Sequence, residues 1–243
     1  MRAIILAAGR GSRMKSLTDE RPKCLVEFSG KSLLEWQLGA LREAGINQIA
    51  IVTGYKREFL VGRSLVEFYN PRWAETNMVS SLARAKTWLV SDTCIVSYAD
   101  IFYESSAVSL LMNCAAPLAI TYDPNWLGSW QERFANPLLD AETFRLRPEG
   151  TLSEIGNRPK SIEEIEGQYM GLLRITPESW AEIRRIRADL PRLERDQMHM
   201  TGTLQKIIDA GRMAVRAVRY DGSWGEVDSP GDLRAYEARR NAS

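Results

Sequence analysis

Histidine occurs once in this chain, cysteine three times, and the charges almost cancel, with 32 Lys and Arg against 31 Asp and Glu. Each scarcity excludes something. His199 alone cannot build a histidine-based metal site, and Cys24, Cys94 and Cys114 are too widely spaced, and odd in number, for a zinc pattern or a disulfide framework. Such cysteine usage suits a reducing compartment, so the expectation is a cytoplasmic protein. A net charge of +1 leaves no global field to draw the chain to nucleic acid or an anionic membrane. The apolar start at residues 3–8 is too short for the core of a signal peptide, and charged residues interrupt every later apolar stretch before it could span a bilayer. Repeats and low-complexity runs are missing too. The 243 residues can therefore be expected to bury one sizeable core, as a single domain over 1–243.

What is present begins at the first residue. Ile4, Ile5 and Leu6 read as a buried parallel strand, because an apolar run without polar alternation needs cover on both faces. It runs into Ala7-Ala8-Gly9-Arg10-Gly11-Ser12-Arg13-Met14-Lys15, where two glycines let the backbone bring its N–H groups close to phosphate oxygens and Arg10, Arg13 and Lys15 add positive charge. Two better-known phosphate loops fail here on single residues. The dinucleotide fingerprint wants Gly or Ala where this chain has Met14, and a Walker A loop ending in Gly30-Lys31-Ser32 would need glycine at Leu25. Gly30-Lys31-Ser32 is instead predicted to be a turn and helix start.

Strands and helical segments alternate along the chain, which predicts an α/β fold with a Rossmann-like, doubly wound, mostly parallel sheet and a small lid or subdomain. Strands are expected at 49–53, 64–69, 94–98 and 118–122. Leu33, Leu34, Trp36, Leu38, Leu41 and Ala44 recur at helical spacing before Gly45, and Asn77 introduces a helix through Val79, Leu82, Ala83, Lys86 and Leu89. From Asn125 the texture changes, with tryptophans, Pro137 and short strand-like pieces at 143–146 and 152–155 before a strand at 168–175. Helices near 176–190 and 201–210, a strand at 214–220 and a last helix from about Gly231 complete the pattern.

Two segments deliver carboxylates. Val96-Ser97-Tyr98-Ala99-Asp100 is an apolar strand with an acid at its carboxyl end, where a ligand site in an open sheet belongs. Trp224-Gly225-Glu226-Val227-Asp228 sets two acids two residues apart, on one face of an extended segment, where they repel unless a cation lies between them. Ser229-Pro230-Gly231-Asp232 also fits Asp228 into a cap and turn for the last helix.

Leu6, Ala7, Ala8, Gly9, Gly11, Ser12 and Arg13, followed by Pro22-Lys23, resemble the opening of the sugar-phosphate and choline-phosphate nucleotidyltransferases. Later landmarks, Thr76 to Leu82, Ile155-Gly156, Gly167 to Gly171 and Trp224 to Asp228, are most similar to the small bacterial phosphocholine and phosphonate cytidylyltransferases, so the resemblance runs over essentially the whole chain. It implies a nucleotide-binding half (1–124) and an acceptor-binding, metal-completing half (125–243) that includes the lid, Mg2+ held by Asp100, Glu226 and Asp228, and nucleotide contacts from Leu6, Ala7, Ala8, Gly9, Gly11, Ser12, Arg13, Lys23 and Ala99. The family more often carries glycine where Ala99 stands. Arg13 and Lys23 are the expected catalytic cations, on the leaving phosphates and near the α-phosphate. Asn77 and Ser81 are expected near the base or ribose, or else as a helix cap and an ordinary helical serine.

The implied reaction is in-line attack by a phosphate or phosphonate oxygen on the α-phosphorus of CTP, releasing pyrophosphate, with phosphocholine as the first acceptor and a 2-aminoethylphosphonate-like compound next. Asp123, Trp126, Trp130, Tyr169 and Trp224 are the expected cage for a cationic acceptor, and Lys160 or Arg158 its phosphate partner. The alternative for the aromatics is the core of the lid. His199, between Met198 and Met200, is expected in packing or at the surface. Sugar-1-phosphate transfer is the second reading, and an inactive nucleotide-binding regulatory module is a third of another class.

Overall fold

The central sheet has seven strands, in the spatial order Arg216–Arg219, Leu118–Asp123, Gln168–Ile175, Cys94–Tyr98, Arg2–Ala7, Ile49–Thr53, Val66–Tyr69. The computed structural model describes residues 1–242; the side chains of Lys15 and of residues 239–242 fall outside that description, and with them the charge expected from Lys15. Parallel pairing joins the first strand to both its neighbours, with Ile5 opposite Ile51 on one side and Ser97 on the other. Gln168–Ile175 alone runs against its partners, antiparallel to Cys94–Tyr98 and to Leu118–Asp123. The sheet is thus mixed but mostly parallel, as the alternating pattern predicts.

The pleat sends successive side chains of the first strand to opposite faces, and each face has its own core. Ile4, Val52 and Val96 pack with Trp180, Ile183, Leu204 and Ile207 from the helices Pro177–Ala188 and Met200–Ala210. Ile5, Ile51 and Ile95 pack on the other side with Leu34, Leu38 and Leu41 of Leu33–Glu43 and with Ala107, Val108 and Leu111 of Ser105–Asn113. Continuous apolar runs in the central strands follow from this double cover. Ser32 starts the first long helix with a capping box, its Oγ accepting from Glu35 N at 3.2 Å while Glu35 Oε2 accepts from Ser32 N at 2.7 Å. That is the role predicted for Gly30-Lys31-Ser32.

Several elements depart from the expected bounds. The segment after Asn77 is broken into Met78–Leu82, a tighter turn at Ala83–Ala85, and Lys86–Leu89. A short two-stranded ladder joins Ile101–Tyr103 to Trp224–Glu226, and Arg192–Asp196 forms a further short helix. Trp126–Arg133 is helical, and the lid's hairpin pairs Phe144–Leu146 with Leu152–Ile155. No helix among the described residues is long and apolar enough to cross a membrane.

Candidate active site

The glycine-rich loop leaves the first strand at its carboxyl end and turns at Gly11, whose φ of +67° is in the left-handed region that side chains disfavour. A Cβ there would also stand 2.8 Å from Lys23 Cδ, so this glycine is needed both for the turn and for the passage of Lys23 beneath it. Met14, where a dinucleotide loop would have a small residue, is fully buried among Val26, Phe28, Leu33, Phe102 and Val227 and anchors the loop from below. Tyr55 N donates to Ala8 O at 2.9 Å, and Gly54 lies so close that a Cβ would come within 2.5 Å of that oxygen. The short helical turn Ser12–Thr18 that follows has no side-chain cap, so its first amides stay available to an anion.

Three carboxylates face this loop. One oxygen each from Asp100, Glu226 and Asp228 lies within 4.8 Å of the others. Local structure brings them together. The ladder sets Glu226 opposite Ile101, and Val227 N donates to Asp100 O at 2.9 Å. Gln37, fully buried, donates from Nε2 to Tyr98 O at 2.9 Å and to Ile101 O at 2.6 Å, which fixes the turn carrying Asp100. Asp232 Oδ2 accepts from Asp228 N at 2.9 Å, Ser229 N at 2.8 Å and Ser229 Oγ at 3.0 Å, and its Oδ1 accepts from Arg133 Nε at 2.7 Å. The Arg133 guanidinium is buried, 4.7 Å from the Trp130 ring and 4.0 Å from Glu226 Oε2. Gln37, Arg133 and Asp232 escape sequence reasoning because nothing local marks them; only Asp232, four residues after Asp228 in a cap-like stretch, leaves a signal.

The cations sit inside this acidic set. Lys23 Nζ bonds Asp100 Oδ2 at 2.8 Å and also Asp228 Oδ1. Burial by itself would lower the Lys23 pKa, but the two carboxylates outweigh it and hold the ammonium above the usual lysine range. Arg13, largely exposed, reaches Asp228 Oδ2 at 2.8 Å and Asp140 Oδ1 at 3.7 Å. Burial pushes the Glu226 carboxyl well above its ordinary range, and the nearby Asp228 and Asp100 push it further. Asp100 Oδ1 is buried without a hydrogen-bond partner. An all-oxygen donor set, a carboxyl destabilised by its neighbours and one unsatisfied carboxylate oxygen fit a hard divalent cation such as Mg2+.

Two adjoining cavities share Arg13, Met78, Tyr98 and Asp228. The larger, about 290 Å³, is lined by Leu6, Ala7, Ala8, Gly9, Gly11, Ser12, Lys23, Asn77, Ser81, Ala99 and Asp100. Every residue expected at the nucleotide from the sequence therefore meets in one place. Asn77 also caps its helix, with Oδ1 accepting from Met78 N at 2.7 Å, and Ser81 Oγ accepts from Asn70 Nδ2 at 3.0 Å. The smaller cavity, about 240 Å³, is lined by Asp140, Glu142, Gln168, Tyr169, His199, Thr201 and Glu226 among others.

A family model described as the MobA-like NTP transferase domain matches residues 3–172. The chain belongs to that family. This transferase is 38% identical over 252 residues to the CTP:phosphoglutamine cytidylyltransferase of Campylobacter jejuni, an alignment covering 96% of this chain and 98% of that protein. It is 40% identical over 95 residues to the choline-phosphate cytidylyltransferase of Streptococcus pneumoniae, but there only 37% of this chain and 42% of that protein are covered. Among solved structures it is similar to the inositol-1-phosphate CTP transferase from T. maritima, with a TM-score of 0.78, 20% identity and coverage of 97% and 93% of the two chains, a likeness of fold.

For the transferase's acceptor side, the expected aromatic cage does not form. Trp126 and Trp130 are 3% and 1% exposed and pack in the core, Trp126 donating its indole N–H to Ile165 O. Trp224 packs against Trp130, with ring centroids 6.3 Å apart, and donates its indole N–H to Asp123 Oδ2 at 3.0 Å. Asp123 is buried, and its other oxygen accepts from Asn125 N at 2.7 Å. Lys160 and Arg158 are exposed and line neither cavity. These positions fail because the apolar ring surfaces are worth more buried than displayed, and the sole carboxylate among them is spent on structure. Of the six acceptor residues, Tyr169 alone lines the smaller cavity, its ring edge-on to Tyr98 at 5.7 Å. His199 is exposed, as a surface placement predicts, and it lines that cavity too, with Asn77 Nδ2 about 3 Å from its ring nitrogens. Asp140 and Glu142, which no sequence signal singles out, form its acidic wall.

Proposed function

We propose that this family member transfers CMP from CTP to a small phosphorylated acceptor that carries a primary ammonium group, releasing pyrophosphate. Acceptors of the phosphoglutamine or aminoalkylphosphonate kind stand ahead of phosphocholine. The observation that carries this choice is the smaller cavity: Asp140, Glu142 and Gln168 offer hydrogen-bond acceptors to an N–H-bearing cation, while Trp126 and Trp130, which would suit a quaternary ammonium, are buried and none of the expected tryptophans lines it. CTP is favoured by the cytidylyltransferases among the relatives.

In this reading the triphosphate lies along the loop, its leaving β- and γ-phosphates against the uncapped amides of Ser12 and Arg13 and the Arg13 guanidinium. Lys23 and the carboxylates lie at the α-phosphate end. Asp100, Glu226 and Asp228 would hold Mg2+, which when bound supplies charge neutralisation at the α-phosphate. The acceptor oxygen, already anionic near neutral pH, attacks the α-phosphorus from the smaller cavity; the new P–O bond forms as the bond to the β-phosphate oxygen breaks, and the pair of electrons leaves with pyrophosphate. Rate enhancement then comes from alignment and electrostatics rather than a general base. Arg13, shared by both cavities, orients the reactants across their junction.

Pyrophosphate release from CTP, measured with phosphoglutamine, 2-aminoethylphosphonate, phosphocholine and several sugar-1-phosphates, tests the reading. Turnover with an ammonium-bearing acceptor, weakened when Glu142 is replaced by Gln, is expected. Turnover confined to sugar-1-phosphates, or to phosphocholine with no effect of Glu142→Gln, overturns the acceptor assignment; none with any nucleoside triphosphate overturns the enzyme reading.

A further inference from the structure

On the side of the sheet that carries Pro177–Ala188, a third cavity, of about 550 Å³, opens away from the active site. Lys86, Arg184, Arg185, Arg187 and Arg195 line it, and no carboxylate does. Arg185 is answered by Glu182 at 3.7 Å; the other four have no carboxylate at ion-pair distance among the described residues. Other arginines, such as Arg21, Arg42 and Arg158, also lack an acid at that distance among the described residues; what sets this group apart is that four such cations share one cavity. Arg187 is half-buried, held by Arg195 O at 3.1 Å and Ser80 Oγ at 3.2 Å. Burial, and then the neighbouring Arg195, push its pKa down, and Asp196 offsets them only in part.

Trp180 supplies an independent sign. It is 2% exposed, lines the cavity, and its indole N–H has no hydrogen-bond partner. An unanswered buried donor costs about 1–3 kcal/mol. With that nitrogen closed to solvent, it is the ring that meets whatever the four unpaired cations hold. Ala83, Ala181 and Ala188 keep the walls short enough to admit an anion.

We infer that this cavity is a binding site for a small phosphate-bearing anion, held by Arg184, Arg187, Arg195 and Lys86 beside the Trp180 ring. The size falls in the range of small-molecule sites, and guanidinium groups match phosphate oxygens in pairs. The assignment does not depend on the proposed reaction.

Sodium pyrophosphate is the probe, and the side-chain N–H resonances of the tryptophans in 15N-labelled protein are the readout. Trp180 and Trp73 are assigned with Trp180→Phe and Trp73→Phe. Trp73 lines the larger cavity, so it reports pyrophosphate at the active site while Trp180 reports it here. The expected result is a saturable shift of Trp180 that survives Arg13→Ala and is weakened at least about tenfold in Arg184→Ser/Arg195→Ser, with the Trp73 response unchanged. A Trp180 resonance that does not move, or that moves equally in the double variant, overturns the inference. Titration in 0.5 M NaCl separates a built site from loose ion attraction: the shift must persist there, and its disappearance also overturns the inference.

Discussion

Replacing Asp232 by Ala removes the acceptor for three donors of the Asp228–Ser229 turn and strands a buried cation. Arg133 is 1% exposed at its side chain, and both terminal nitrogens already lack hydrogen-bond partners, so Asp232 supplies its one close ionic contact, at 2.7 Å. Breaking such a pair from one side costs about 3–5 kcal/mol, because an unpaired charge remains buried. Set against a total stability of about 5–15 kcal/mol, this is a large fraction. For a chain of this size it lowers the melting temperature by about 6–20 °C, at about 2–4 °C per kcal/mol. Urea unfolding followed by tryptophan fluorescence gives the loss directly. Arg133→Met keeps apolar contact with the Trp130 and Phe134 rings, which stand 4.7 and 5.0 Å from the guanidinium, while removing the charge. The double variant should therefore lose about 1–3 kcal/mol less than the sum of the single losses. A cost below about 1 kcal/mol for Asp232→Ala, or strict additivity, would refute the account of this brace. The same variant should blunt the rise in melting temperature caused by Mg2+, since the turn that holds Asp228 is no longer fixed.

Glu226→Gln should stabilise the metal-free protein at neutral pH. The folded carboxyl has its pKa raised by burial, Asp228 and Asp100, so its ionisation opposes folding as pH climbs past its unfolded pKa of about 4.3, and the advantage of Gln should grow over that rise and vanish well below it; stability curves that stay parallel from pH 4 to 8 would contradict this. Gly11→Ala should abolish turnover and cost at least about 1–2 kcal/mol, from the left-handed φ and the approach to Lys23, as read by pyrophosphate release and urea titration. Cys24, buried and with its thiol pushed up to about 12 chiefly by burial, should resist a thiol reagent at pH 8 until the protein is unfolded. Trp130→Ala should destabilise by about 3–5 kcal/mol, as a core residue does, whereas a cage residue would raise the acceptor KM with little change in melting.

The nucleotide side was legible because its signals are local. A strand, two glycines and the cations of Arg13 and Lys23 lie within the first 23 residues, and backbone turns at such a loop depend on neighbours in sequence. Asp100 and Asp228 could be placed because strand ends and helix starts fix where a carboxylate emerges. The acceptor side depends on packing between distant segments. Whether Trp126 and Trp130 face a cavity or the core is decided by Ile165 and Trp224, which periodicity does not connect to them. The ladder between Ile101–Tyr103 and Trp224–Glu226 is three residues long, too short for alternation to be seen. Ser105–Asn113 carries Ala107, Val108 and Leu111 on one face but opens on two serines, which weakens its helical signature although its apolar side is fully buried.

Gln168–Ile175, the one reversed strand, lies between Cys94–Tyr98 and Leu118–Asp123. Those two earlier strands never touch each other, so the middle of the sheet stays open until the chain has passed through the whole lid and come back. A ribosome releasing the first 124 residues would expose one unpaired edge of Cys94–Tyr98 and both edges of Leu118–Asp123, all apolar, in a segment that cannot close on itself. Folding should therefore stall until about residue 175 has emerged. The segment that would choose the acceptor also supplies the strand that completes the nucleotide half, so evolution can vary the lid only within limits set by the assembly of the sheet.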